Sequence, residues 1–224
     1  MNLDLVSGIF KVSFINLLLS GDNAVVISLA CRNLSPGHRR LGMIWGASGA
    51  VVARVILTLF AAKLIVIPSL ELIGGVLLIW IGIKLLLPER EGDDGVKAHD
   101  HLWGAIRTII LADVVMSLDN VLGVVGAARG NWMLIILGLI LSIPIIVFAS
   151  ELTMRLMERF PVIVMAGAGL IGFVAGEMLV DDHLVSGYFG KTLHVAEISA
   201  GILTALFIVV AGTWLQRRKF KERA

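Results

Sequence analysis

NLLLSGDN, residues 16–23, and DVVMSLDN, residues 113–120, are the two stretches on which the reading of this chain turns. Laid one on the other without a gap, Asn16, Ser20, Asp22 and Asn23 fall on Asp113, Ser117, Asp119 and Asn120. Each block lies inside an apolar run, INLLLSGDNAVVISLA at 15–30 and LADVVMSLDNVLGVV at 111–125. A carboxylate next to an amide in such a run has no water to solvate it. It needs a partner supplied by the fold or by a ligand.

The rest of the chain says what kind of solvent surrounds those runs. Of 224 residues 58% are hydrophobic and 16% charged, and the mean hydropathy is +0.93. A soluble domain carries about 25% charged and 45–50% apolar residues. The apolar surplus excludes a water-soluble globule, which would expose large greasy patches, and it excludes a disordered chain. The one cysteine, Cys31, cannot form an intrachain disulfide. The opening MNLDLVSGIF has no basic region before its apolar residues and reads as the start of a first span, not a removed signal peptide.

A membrane-crossing helix needs about 20 mostly apolar residues. Seven stretches qualify: 12–30, 41–64, 68–88, 105–127, 131–150, 162–180 and 196–216. Their backbones must bond internally in hydrocarbon, and continuous apolar runs of this length read as helices rather than as barrel strands. Pro68 and Pro161 stand at the starts of the third and sixth, where a missing N–H is harmless. The predicted fold is all-α and polytopic. Gly75 and Gly82 in the third run also fall on Gly169 and Gly176 in the sixth. The chain therefore divides into a three-helix repeat at 1–90, a second at 102–182, and a seventh helix at 196–216 with a basic tail at 217–224. An odd number of spans per repeat inverts the second copy relative to the first, the arrangement of many secondary transporters.

Lys and Arg set the orientation. Most lie on the side that carries the turn 31–40, the loops 89–104 and 151–161 and the tail, against Lys11, Lys63, Arg129 and Lys191 on the other. The positive-inside rule puts the first side in the cytoplasm of a plasma (inner) membrane, with the N-terminus outside. The tail QRRKFKER then reads as an orientation anchor in the lipid bilayer, not as a nucleic-acid-binding segment. Trp45, Trp103, Trp132 and Trp214, with Trp80, fit interfacial anchoring.

Asp22, Asp113 and Asp119 would each cost about 2.5–3.5 kcal/mol at the bilayer centre, roughly 8–10 kcal/mol together. A bound cation, a proton or a buried basic partner must offset that, and Arg54 in the second span is a candidate structural partner. Asn16, Asn23, Asn120, Ser20 and Ser117 add neutral oxygens, while the histidines all lie in loops. A carboxylate, amide and hydroxyl set suits a hard divalent ion such as Mn²⁺, Mg²⁺ or Ca²⁺ and not a soft one. The metal site expected is Asp22, Asn23, Asp113, Asp119 and Asn120, supported by Asn16, Ser20, Ser117 and Glu177. No cofactor is expected to stay bound; the ion is cargo. On a straight helix Asp22 would point about 100° away from Asn23. Convergence of all the oxygens therefore predicts a break near Gly21 and a milder one near Ser117. Three carboxylates around a doubly charged ion leave one negative charge over, which makes Asp113 the candidate proton carrier. The acidic stretch at 89–101 reads as a solvated linker or a cation-collecting mouth, and Asp181 and Asp182 as interfacial charges.

LLLSGDNAVVISLA and ADVVMSLDNVLGVV, together with WGASGAVVARVILT and LIGGVLLIWIGIKLLLPE, resemble the TerC family of integral membrane proteins, in its short YjbE-like branch. The likeness covers about residues 5–182. It implies a LysE-like transporter fold and manganese export, with Asp22, Asn23, Asp119 and Asn120 on the family's motif positions and Asp113 on an acidic one. Asn16 stands at the equivalent place in the first copy, so the site is not symmetric. The family's name comes from tellurite resistance, but an oxyanion prefers Arg and helix N-termini to carboxylates.

Two other classes compete with an exporter. A membrane anchor of a tellurite or stress-resistance complex would need no intramembrane carboxylate. An intramembrane aspartyl protease would use two Asp sharing a proton, but the Asn beside each Asp and the lack of a GxGD sequence speak against it. No phosphate-binding loop is present for ATP drive, and no enzymatic activity is expected.

Overall fold

A computed structural model describes residues 8, 9, 12–14, 16, 21–64, 67, 69–87, 98–128 and 131–221, with the side chains at 61–64, 98–100, 119, 122, 123, 125–127 and 219–221 outside the description. Among the described residues the chain is helical and has no strand. Residues 8, 9, 12–14 and 16 are helical. They are followed by α1 (Gly21–Cys31), α2 (Pro36–Leu64), α3 (Leu70–Leu86), α4 (Ala98–Ala127), α5 (Trp132–Arg159), α6 (Val162–Asp181), the short α7 (His183–Ser186), a single 3₁₀ turn at Gly190–Thr192, and α8 (Leu193–Lys221). Among the described residues five helices are long and apolar enough to cross a membrane by length and composition. Large apolar side chains stand exposed along them, among them Ile140, Phe148, Leu203 and Phe207, and so do Trp45, Trp103, Trp132 and Trp214, with Trp80 exposed on α3. A surface of that kind is stable in lipid and not in water.

Several helices outrun their apolar cores. The segment 151–161, expected as a loop, is helical to Arg159. ELTMRLMER is built of strong helix formers, which carry the helix on into polar surroundings. In the same way α4 begins at Ala98 and α2 at Pro36, the latter as a proline at a first helical position. Pro161 caps α6 as its sequence position implied, whereas Pro68 lies outside the described residues. Arg39 holds the turn after α1, donating from Nε to the Leu34 carbonyl at 2.8 Å and from Nη2 to the Arg32 carbonyl at 3.0 Å. The stretch 88–97, most of the acidic linker, is not described.

The helices group into two compact units that do not follow chain order. Unit 1 joins Met1–Val66 to Ala98–Met154 and unit 2 joins Ile67–Lys97 to Arg155–Ala224. In unit 1 α2 packs along α4, where Gly46 admits Ile109 and Gly49 admits Ile110. Val12, Val51, Val124, Ile135 and Leu139 close an apolar core over it. Hydroxyl and amide links tie the N-terminal part of the chain to α5. Ser13 donates to the Gly138 carbonyl at 2.9 Å, Asn16 to Ser142 at 2.9 Å, and Ser28 to the Ser150 carbonyl at 2.7 Å. Pro144 inside α5 takes one donor out of that helix's own ladder.

Unit 2 packs by backbone approach. Helix α6 lies against α8 and α3. A Cβ on Gly172 would come 2.7 Å from the Cα of Ala205, and one on Gly176 would meet the Ala200 carbonyl. Thr204 donates across the seam to the Gly172 carbonyl at 2.6 Å. Small residues facing one another in this way let helices gain dispersion contact where lipid gives no hydrophobic drive. Asp182, 2% exposed, is structural: it accepts from Leu184 N at 3.0 Å, capping α7, and from Leu72 N at 3.2 Å, satisfying an open donor at the start of α3.

The break expected near Ser117 is absent. Helix α4 runs through it without interruption, because DVVMSLDN contains neither Gly nor Pro to open the ladder. The break expected near Gly21 falls against residues 17–20, which lie outside the description.

The α6–α8 seam generates a contrast within one helix. Gly172→Ala should lower stability by about 1–3 kcal/mol through overpacking. Gly169→Ala, whose Cβ would stand 3.7 Å from Val209 in ordinary contact, should be neutral or stabilising by up to about 1 kcal/mol. Thermal melting of the detergent-solubilised chain by circular dichroism reads both, and equal effects would contradict the close approach.

Candidate functional site

Unit 1 contains a sealed polar network at the level of the two motif blocks. It is built around Arg54 of α2, which is 2% exposed. Among the described residues its guanidinium donates from Nε to Ser117 Oγ at 2.8 Å, from Nη1 to Asn16 Oδ1 at 2.5 Å, and from Nη2 to Asp113 Oδ1 at 2.5 Å. The last is a buried ion pair. Asn23 Nδ2 also donates to Asp113 Oδ1, at 2.5 Å, and Ser117 Oγ lies 3.3 Å from Asp113 Oδ2. Asn16 passes the network on to Ser142, whose hydroxyl donates to the Leu139 carbonyl at 2.6 Å.

The local sequence explains the arrangement. Asp113 and Ser117 are four residues apart on an unbroken helix and share a face. Arg54 is the one basic residue in the middle of its apolar run, so its helix cannot be placed in a membrane without an acidic or carbonyl partner. Thr58, one turn on, donates to the Arg54 carbonyl at 2.7 Å. The fork of the guanidinium fits three oxygens at fixed angles, which a lysine ammonium would not reproduce.

The two sequence copies therefore meet. Asn16 and Asn23 from the first block touch, directly or through Arg54, Asp113 and Ser117 from the second. Asp22 is half-buried and is the second residue of α1 as described. Its Oδ1 accepts from Asn23 N at 2.9 Å, and it lies within electrostatic reach of Arg54 and Asp113. Asn120 is half-buried and donates to the Met116 carbonyl of its own helix at 3.0 Å. Asp119 is a residue of α4, its side chain undescribed, and Ser20 lies outside the described residues. Glu177 is half-buried on α6 in unit 2. Among the described residues no three His, Cys, Asp or Glu side chains group as a metal cage.

Beside the ion pair is a small cavity lined by Asn23, Arg54 and Asp113 and by apolar residues including Val26, Ile27, Ala47 and Ile109. Its volume is about 10 Å³, the space one water takes. Ser142 and the central place of Arg54 were not read from the sequence. The signal for Arg54 was its isolation in an apolar run; a serine in the fifth run carries no comparable signal, since hydroxyls are commonly satisfied by their own helix.

Apolar helices of membrane length and a charged network sealed within one helical unit define a polytopic integral membrane protein. Residues 1–220 match the integral membrane protein TerC family, and the chain belongs to it. It is 39% identical over 217 residues to "Uncharacterized membrane protein YjbE" of Bacillus subtilis, covering 97% of this chain and 99% of that one. It is 26% identical over 197 residues to "UPF0053 inner membrane protein YgdQ" of Escherichia coli K12, covering 79% and 83%. A further Bacillus subtilis relative, "Uncharacterized membrane protein YkoY", is 24% identical over 217 residues, covering 85% and 67%. No solved structure matches the chain.

The ion pair predicts asymmetric losses. Asp113→Leu strands a guanidinium that cannot lose its proton and should cost about 3–5 kcal/mol. Arg54→Met strands a carboxyl that can take a proton, and should cost less. The double variant should recover most of the Asp113→Leu loss in detergent unfolding without divalent ions. Losses that simply add would show the two residues to be uncoupled.

Proposed function

We propose that this protein exports a hard divalent cation, Mn²⁺, by alternating access across the plasma (inner) membrane. In this reading seven spans form two inverted three-helix repeats plus a final helix, with the N-terminus outside and the C-terminus in the cytoplasm as the Lys and Arg distribution directs. Asp22, Asn23, Asp113, Asp119 and Asn120 take the ion, with Asn16, Ser20, Ser117 and Glu177 in support. The oxygens suit hard ions as a class, and the resemblance drawn from the sequence motifs supports Mn²⁺ within it.

The observation that carries the reading is the contact of Asn23 with Asp113. It joins the two motif blocks inside a water-excluded unit, as a mid-membrane ion site between repeats requires. Arg54 also changes the charge balance. Three carboxylates, one guanidinium and one divalent ion are neutral together, so the positive charge that would otherwise be assigned to a proton on Asp113 is already present. Charge balance alone then calls for no proton exchange. The same ion pair weighs against an aspartyl protease, because a carboxylate held by a guanidinium has no proton to share with a second Asp. No enzymatic step is proposed.

Metal content of cells lacking their own exporter tests this. Wild type should lower cell Mn²⁺ and leave Zn²⁺ and tellurite unchanged. Asp22→Asn, Asp113→Asn and Asp119→Asn should each lose roughly tenfold or more of that activity. Full activity in all three variants would contradict the site and favour the membrane-anchor reading.

A further inference from the structure

Arg54 does more than neutralise a charge in this geometry. Its Nη2 sits on the oxygen of Asp113 that also takes the Asn23 amide, and the small cavity opens against Asn23, Arg54 and Asp113. An ion entering that cavity meets a carboxylate already occupied by a positive group, with apolar walls around the rest. The guanidinium is not a loose side chain: Asn16 and Ser117 hold two of its other donors, and Asn16 is itself held by Ser142. Asn16 and Ser117 help aim the fork at Asp113.

We propose that Arg54 is a tethered competitor for the transported ion, holding Asp113 when the site is empty and swinging off it when a divalent cation binds, so that the empty carrier never exposes a lone carboxylate to the low-dielectric interior. The proposal rests on the divalent-ion reading above. Its physical basis is that a cation and a guanidinium brought to one carboxylate repel each other, and that apparent affinity is the intrinsic affinity multiplied by the fraction of time the competitor is away. The return of Arg54 to Asp113 neutralises the empty site and lets it reorient.

The test uses the full chain, purified for equilibrium Mn²⁺ binding and reconstituted in liposomes for flux. Arg54→Gln should tighten Mn²⁺ binding by about tenfold or more, and Asn16→Ala, which loosens the fork but keeps its charge, by about threefold. In liposomes Arg54→Gln should slow net Mn²⁺ uptake roughly tenfold while Mn²⁺-for-Mn²⁺ exchange stays within about twofold, since only the empty carrier needs the arginine. Unchanged or weaker binding in Arg54→Gln, or equal loss of net uptake and exchange, makes Arg54 a structural partner only and overturns the proposal. Weaker binding in Asn16→Ala makes Asn16 a ligand instead of an anchor and also overturns it. Should Arg54→Gln fail to fold, Asn16→Ala decides, because it leaves the ion pair in place. Wild type that binds no Mn²⁺, or binds it equally after Asp113→Asn, fails the site reading itself and is distinct from every outcome in which wild type binds through Asp113.

Discussion

A guanidinium and a carboxylate are paired almost wholly away from solvent, and unit 1 is arranged around the consequences. Neither charge could sit there alone: each costs several kcal/mol to bring out of water, and their attraction offsets this only with good geometry and with the remaining donors and acceptors satisfied. Arg54 and Asp113 meet that condition through Asn16, Asn23 and Ser117. Such a pair is a poor way to stabilise a helical unit, since apolar residues of the same volume would do as well or better. It stands at the meeting point of the two motif blocks, and the cation-exporter proposal gives it a use there.

The two compact units solve the packing problem by different chemistry. Unit 1 relies on polar links, with side chains of the N-terminal part of the chain tied at residues 13, 16 and 28 to α5. Unit 2 relies on close approach, with Gly75, Gly172 and Gly176 letting backbones touch and Thr204 bridging one seam. Close-packed glycine seams resist deformation, because a packed interface has few intermediate arrangements. Hydroxyl and amide links can exchange partners at small cost when another acceptor is at hand. The unit that holds the charges is thus the one whose contacts can be traded.

Much of this was legible from residue order. Apolar run length marks the helices, because hydrocarbon leaves the backbone no other way to satisfy its polar groups. The pairing of Asn16 with Asp113 and of Asn23 with Asn120 by simple superposition pointed to a buried polar cluster, and Asn16, Asn23, Asp113 and Ser117 do come together. Arg54 was visible as a possible partner, but its three-way contact was not, since the reach of a long side chain depends on how α2 rotates against α4. The regrouping of helices into units that ignore chain order was also hidden, because every span is apolar enough to pack on any other. The polar helix ends at 98–104 and 151–159 were misread as loops for the opposite reason: hydropathy reports the membrane and not the helix. The expected kink at Ser117 assumed that all oxygens must converge on one ion at once, whereas the guanidinium bridges Asp113, Ser117 and Asn16 without one.

Diffraction from crystals grown with and without Mn²⁺, recorded at the manganese absorption edge, tests the central claim most directly. An anomalous peak against the Asp113 carboxylate, with Arg54 drawn away from it only in the Mn²⁺ crystals, is the predicted result. A peak elsewhere, or Arg54 unmoved on Asp113 with the ion bound, would contradict it.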